Sequence, residues 1–327
     1  MTVTFGPLKV SEVPAFCDLF RRVFSVTLTP EVHHWKYQQG PRLGSLSLVA
    51  RDSSGALMGH VGALVFPGVC QGKPTPMAQV CDVMVAPDAR GGVQTGGVYG
   101  RLMAALQAEL TDNFPGVFAY GFAGIRPYKL GARMGLYRAV QPCRMGFVEP
   151  SDPHAGWVAP WELHAQPLDW KSTSWSGLWR RIGMQAAGPL VERSAAYLQW
   201  RYAQHPQHRY LGWQLRRWGR AQGWVVTRQL HDGSWCMVDS LLPSGVDARL
   251  AVALLAGAHR RAPDLLAASA GFAAASPRSP AFNIGSWDIQ TETSAGLEPI
   301  MGCEVRVERW HSDHVAPRFQ PGDTDVF

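Results

Sequence analysis

Val85-Ala86-Pro87-Asp88-Ala89-Arg90, followed after Gly91-Gly92-Val93 by Gln94-Thr95-Gly96-Gly97-Val98-Tyr99-Gly100-Arg101-Leu102-Met103, is the stretch that decides the fold. It is preceded by an apolar run, Ala78 to Val85, that Pro87 ends, and this pattern predicts a buried strand. From Val98 to Leu110 the apolar residues recur with the period of a helix. A turn entering a helix leaves backbone N–H groups unpaired and a partial positive charge, and residues without a Cβ let an anion approach them closely. A pyrophosphate fits such a turn. With 34 glycines in 327 residues, a local cluster alone is consistent with a plain surface loop. Its place between a strand and a helix favours the anion site.

Working outward, Val13, Phe16, Leu19, Phe20 and Phe24 are spaced as one face of a first amphipathic helix over residues 10–24. SLSLVARD and LMGHVGALVF are short apolar runs joined by Asp52-Ser53-Ser54-Gly55, which predicts two antiparallel strands closed by a turn. Gly68 to Pro76 reads as a loop. Beyond the glycine turn, GVFAYGFAG is a further strand, and a helical stretch follows around Tyr128 to Met134.

An internal repeat organises the rest. Trp35-Lys36-Tyr37-Gln38-Gln39-Gly40-Pro41 recurs as Trp200-Arg201-Tyr202-Ala203-Gln204-His205-Pro206. At similar distances beyond them come Gly55 to Gly59 and Gly219 to Gly223, each at a strand-to-strand turn. GSWCMVDSLLP then stands where AQVCDVMVAP stood, and DARLAVALLAGAHRRA stands where the helix after the glycine turn stood. The spacing predicts two related folds in tandem: residues 1–148, a connecting segment 149–190, and residues 191–327. The connecting segment holds Trp157, Trp161, Trp170, Trp175 and Trp179, read as packing between domains or as the lining of a substrate pocket.

Composition bounds the partners. The chain's 46% hydrophobic content can fill a core in each of two domains, and the formal charge of +6 is spread without a long basic run. That charge suits an anionic ligand, and nothing in it calls for nucleic acid. No apolar run reaches the roughly 20 residues of a membrane span, and the N-terminus lacks the pattern of a signal peptide, so a soluble, cytoplasmic protein with no membrane partner is expected. The six cysteines form no CxxC pair, and His33-His34, His205 with His208, and His311 with His314 lack further ligands, so no metal is assigned. Neither G-x-S-x-G nor the G-K-[ST] of a P-loop is present.

The strand ending in Val85-Ala86-Pro87 and the following Gln94-Thr95-Gly96-Gly97 turn resemble the acyl-CoA motif of the GNAT acyltransferases, in which V-x-P leads to (Q/R)-x-x-G-x-(G/A) and a helix. Two registers are open. Arg90 stands at the usual distance from Pro87 but has Val93 where glycine is wanted, whereas Gln94 has Gly97. The Gln94 register is preferred, with Gly91 to Gln94 as an insertion and Tyr99 at the usual Gly/Ala position.

The resemblance implies an α/β (α+β) fold of two GNAT-like domains, each a mixed, mostly antiparallel sheet flanked by helices. It also implies that acyl-CoA, acetyl-CoA being the simplest donor, is held by Met84, Val85, Gln94, Thr95, Gly96, Gly97, Val98, Tyr99 and Gly100. In that family an amine attacks the thioester directly, with a strand N–H near Met84 or Val85 on the oxyanion and side chains acting as base and acid. Asp82, a charge in an apolar strand on the face of Met84, is the first candidate base, the alternative being a structural pair. His60 on the preceding strand is the second, with a purely structural histidine as its alternative. Tyr128, before Lys129-Leu130-Gly131, resembles the family's acid, although a register on Arg133-Met134-Gly135-Leu136 would put Gly131 there instead.

The second half resembles the same fold without its cofactor turn, since only Ser244-Gly245-Val246-Asp247 follows Pro243. One acyl-CoA site is therefore expected, in the first half, and transfer to a primary amine is the leading function. The alternatives are a non-catalytic acyl-CoA-binding or partner-binding module, and a transferase using a carrier-bound acyl or aminoacyl donor. Asp323 and Asp325 in the terminal stretch Pro321 to Phe327 read as amine-binding acids or as a plain tail.

Overall fold

Leu102, Met103, Leu106 and Leu110 recur at the spacing that puts them on one side of a helix, and all four are buried against a sheet. A computed structural model describes residues 3–90, 96–123, 125–136, 138–148, 162–172, 175–185, 188–229, 235–243, 245–246, 250–251, 254–255, 258, 282–284 and 298–308. Trp157, Trp161 and the stretch 321–327 lie outside the described residues. The chain divides into two compact units: Met1–Pro142 with Gly188–Val191 and Gly302–Ala316, and Cys143–Ala187 with Glu192–Met301 and Pro317–Phe327.

The first unit opens with β1 (Thr4–Pro7), α1 (Val13–Phe24) and α2 (Pro30–Gln38). Pro14 and Pro30 each sit in a first helical turn, where no N–H is needed, and the Thr29 hydroxyl caps α2 by accepting from Val32 N. β2 (Gly44–Arg51), β3 (Leu57–Phe66) and β6 (Met77–Val85) pair antiparallel in that order, with β1 on the outer edge of β2. The stretch 68–76, expected as a loop, instead carries the short strands β4 (Gly68–Cys70) and β5 (Lys73–Pro74). α3 (Val98–Asn113) then returns the chain so that β7 (Phe118–Ala123) lies parallel to β6, and α4 (Ile125–Arg133) follows. A helical return of this length is what a parallel neighbour requires.

α3 packs its leucines on Leu48, Ala50, Val61, Ala63, Val65, Ala78 and Val80, one face of the sheet. Each buried leucine stabilises the layer by roughly 1.5–3 kcal/mol. On the other face Phe16 and Leu19 of α1 are fully buried, and the Phe16 ring meets His60 edge-on at 4.6 Å between centroids.

β8 (Arg138–Val148) begins in the first unit, and its residues 146–148, in the second, are paired by β14 (Phe282–Ile284). β9 (His164–Pro167) and α5 (Trp175–Ile182) give regular structure to the stretch that the sequence left without periodicity. β10 (Leu190–Val191) belongs to the first unit and pairs with β4. After α6 (Ala195–Leu198) and a π-helical turn over Gln199–Ala203, β11 (Leu211–Arg217), β12 (Arg220–Gln229) and β13 (Trp235–Leu241) run antiparallel, with β9 outside β11 and β14 parallel to β13. Ala251, Leu254, Leu255 and Ala258 are helical, at helical spacing, and buried on Trp213, Leu215 and Val225. Residues 304–308 of β15 (Glu298–Glu308) pair with β7 in the first unit. The fold is thus mixed α/β, with mostly antiparallel sheets flanked by helices.

Candidate active site

The site is built where β6 leaves β7. The two strands pair from Met77↔Phe118 to Val80↔Gly121 and no further, although β6 continues to Val85. The register explains the parting. On its other side β6 pairs Gly62↔Cys81 and then His60↔Met84, so Val61 alone faces both Asp82 and Val83. This is a β-bulge, and Asp82 takes the left-handed φ of 49° to make it. Left-handed backbone is uncommon for a residue with a Cβ, and aspartate is among the few that tolerate it.

Four side chains fix that bulge. Lys36 Nζ lies 2.7 Å from Asp82 Oδ1, and the Tyr37 hydroxyl donates to Oδ2 at 2.7 Å. The Lys36 and Asp82 side chains are only 5% and 6% exposed, so the pair is sealed from water. Tyr37 is fully protonated in this setting, because burial and then the neighbouring carboxylate push its pKa well above the ordinary value. His60 Nδ1 stands 2.7 Å from the Asp82 carbonyl, and His60 Nε2 stands 2.8 Å from the Ser47 hydroxyl. A carbonyl only accepts, so Nδ1 carries the hydrogen and Nε2 accepts from Ser47. Burial holds the imidazole neutral, with its pKa pushed down to about 4 against the pull of the Asp82 carboxylate. Gly62 completes the arrangement, since a Cβ there would run into the Tyr37 hydroxyl.

Asp82 and His60 are therefore brought together, and both are occupied by partners. Met84 pairs with His60 across the strands and is buried. Ala86 N donates to Met58 O at 2.8 Å, which makes that pair a hydrogen-bonded one. The antiparallel ladder alternates, so the N–H and C=O of Val85 point away from β3, toward the side that β7 has vacated. Arg90 Nε donates to the Val85 carbonyl at 3.0 Å. Beyond Val85, α3 begins at Val98 with Gly97 as its cap and no side chain capping it, while Gly96 is exposed with open space where a Cβ would stand. Tyr99 is half-buried and Gly100 buried in the first helical turn. Gln94 and Thr95 lie outside the described residues. Tyr128 lies on α4, half-buried, one turn after the strand that forms the other arm of the opening.

Residues 4–138 match the family model described as acetyltransferase (GNAT) domain. Over that stretch, about two fifths of its length, the chain is similar in sequence to the GNAT acetyltransferases. Solved structures extend the likeness of fold to nearly the whole molecule. A conserved protein of unknown function from Enterococcus faecalis V583, described as a probable N-acyltransferase, is 15% identical, with 94% of this chain and 72% of that chain covered and a TM-score of 0.66. A GCN5-related N-acetyltransferase from Anabaena variabilis is 13% identical over 94% and 72%, with a TM-score of 0.60. A tandem GNAT protein from the clavulanic acid biosynthesis pathway is 14% identical over 95% and 100%, with a TM-score of 0.55. No curated protein matches the sequence.

Lys36 and Tyr37 were not legible as site residues, although the signal was present in the repeat that contains them. In the second unit the counterpart Tyr202 donates to Asp239 Oδ2 at 2.6 Å, on a strand that also bulges, since Val226 pairs with Asp239 and Thr227 with Met237. The cation there is Arg193, 2.8 Å from the same carboxylate oxygen. Among the described residues, no group of three or more His, Cys, Asp or Glu could hold a metal ion, and no helix is long and apolar enough to cross a membrane.

Proposed function

We propose that the first unit is a GNAT domain that transfers an acyl group, acetyl in the simplest case, from acyl-CoA to a primary amine, and that the second unit is a related fold without a cofactor turn of its own. The observation that carries this reading is the opening between β6 and β7 beyond Val80 and Gly121, with the unshared Val85 N–H facing it and the uncapped start of α3 at its end. An extended pantetheine arm suits the vacated strand edge, and a pyrophosphate suits Gly96, Gly97 and the first N–H groups of α3, with Gln94 and Thr95 leading into them. Val85 N–H, rather than Met84 N–H, is the donor for the oxyanion, because the Met84 N–H belongs to the hydrogen-bonded pair with His60.

The amine nitrogen attacks the thioester carbonyl carbon, the carbon–sulfur bond breaks, and the leaving thiolate takes a proton from Tyr128, whose phenolate is reprotonated from solvent. The proton lost by the amine passes to water in the opening. Asp82 and His60 act on this reaction through the backbone they hold, since their polar atoms already have partners. That same occupancy favours a second reading, an acyl-CoA-binding module without turnover.

Calorimetry with acetyl-CoA, on the wild type and on Gly97→Trp, tests the site. Equal affinity in the two proteins would sink the assignment. Release of free CoA thiol with a panel of primary amines then separates the two readings, because a binding module takes up acetyl-CoA and releases none.

A further inference from the structure

The hairpin between β11 and β12 is closed by two residues, Trp218 and Gly219, with φ of 51° and 69°. Left-handed backbone at both positions is the tight turn that Asn-Gly makes with least strain, and a bulky aromatic at the first position is an outlier. The indole is also 66% exposed. On either side of it Arg217 and Arg220 stand directly opposite each other across the strands, both exposed, a like-charge pair that disfavours the hairpin. Three local choices here work against the stability of the turn.

The first unit shows that the fold does not demand them. Its corresponding hairpin, between β2 and β3, closes on Ser53-Ser54-Gly55, with Asp52 Oδ1 accepting from Ser54 N at 2.8 Å and from Ala56 N at 3.0 Å. Small polar residues and an internally satisfied aspartate are what a solvent-facing turn selects. The Trp218 turn has neither feature.

Further guanidinium groups are fixed around the tip. Arg216 donates to the Gly219 carbonyl, and Arg181 of α5 donates to the Ala221 carbonyl at 2.7 Å. No aspartate or glutamate occurs in the sequence between Glu192 and Asp232. The tip is open on one side: a Cβ at Gly219 would meet nothing within 4 Å.

We propose that the Trp218 hairpin docks on an anionic phospholipid surface, with the indole at the level of the headgroups and Arg217 and Arg220 on their phosphates. A single indole on a projecting turn within a ring of arginines matches an interface that is anionic outside and apolar beneath. Single-stranded nucleic acid fits less well, because its binding sites are grooves that offer successive aromatic platforms. The arginine pair also disfavours a second copy of the same tip. This docking is independent of the acyl-transfer reading.

The test is flotation of the purified full chain with vesicles of phosphatidylcholine alone and of phosphatidylcholine with 30% phosphatidylglycerol. Binding to the second and not the first is expected, falling as salt is raised. Trp218→Asn places the preferred Asn-Gly pair in the turn, so it keeps or raises the melting temperature while weakening vesicle binding about tenfold. Arg217→Gln and Arg220→Gln each weaken it about fivefold. Equal binding by Trp218→Asn overturns the proposal, as does the absence of binding to anionic vesicles. Retention of a labelled oligonucleotide in place of vesicles, or a change of molecular mass in light scattering on Trp218→Asn, overturns it in favour of nucleic acid or of self-association.

Discussion

The Tyr37 hydroxyl donates a 2.7 Å hydrogen bond to Asp82, and the same bond joins Tyr202 to Asp239 at 2.6 Å in the unit whose sequence lacks the glycine turn. A contact kept where the glycine turn is missing belongs first to the bulged strand and only through it to chemistry. Tyr37→Phe and Tyr202→Phe are each expected to destabilise the protein by about 1.5–3 kcal/mol, the usual contribution of a hydrogen bond to a charged group. Only Tyr37→Phe should lower kcat for acyl transfer, because only that strand faces the proposed donor. Urea denaturation and steady-state kinetics on both variants check this; equal effects on kcat would detach the bulge from the reaction.

The Lys36–Asp82 pair predicts an asymmetric double-mutant cycle. Removing one partner leaves a buried charge alone, so Lys36→Met is expected to cost about 3–5 kcal/mol. Asp82→Asn keeps the Tyr37 bond but strands the lysine. The double variant Lys36→Met with Asp82→Asn should recover part of that loss, as seen by chemical denaturation of all four proteins.

Most of the first unit's elements were legible because each carries a period: α1, β2, β3, β6, α3 and β7 all fall where the apolar spacing places them. α2 was missed because the face it buries contains His33, Lys36 and Tyr37, whose polar atoms hide a buried surface from any count of apolar residues. α5 was missed for a related reason, since its buried Trp175, Leu178 and Trp179 occupy barely two turns. The candidate site divides the same way. Asp82 stood out as a charge in an apolar strand, but its partners lie 45 and 46 residues earlier, and no local pattern encodes a contact at that distance. The bulge itself has no signature in composition; a left-handed aspartate is visible only once the strands are paired.

Gly59 ties the start of α3 to the bulged strand. A Cβ there would stand 3.0 Å from Leu102 Cδ1, from Val98 Cγ1 and from the Met84 carbonyl. The helix must lift or the strand must shift, and neither the carbonyl nor the packed leucine yields easily. Gly59→Ala is therefore expected to destabilise by about 1–3 kcal/mol and to weaken acetyl-CoA binding more than Gly55→Ala, whose Cβ meets nothing but whose φ is positive. Calorimetry on both variants, with melting curves as the control, decides whether the two effects separate.

His60 sets how the domain responds to acid. Its pKa is about 4 in the fold and 6.5 as an ordinary histidine, so between those values the unfolded chain binds the extra proton. Stability contributed by the neutral, buried ring is fully present above pH 6.5 and is lost progressively as pH falls toward 4, by up to about 3 kcal/mol. Glu12 adds a second loss below that window: its carboxylate, held by Arg51 at 2.7 Å, has a pKa of about 2 against 4.5, so its contribution is present above pH 4.5 and lost as pH falls toward 2. Urea midpoints measured from pH 3 to 8 should therefore fall in two stages. His60→Gln should reduce the slope between pH 4 and 6.5, leaving the part due to His33, whose pKa burial also lowers, and should leave the lower stage, whereas Glu12→Gln should reduce the lower one. A wild-type profile with no slope between pH 4 and 6.5 would show that burial does not hold His60 neutral.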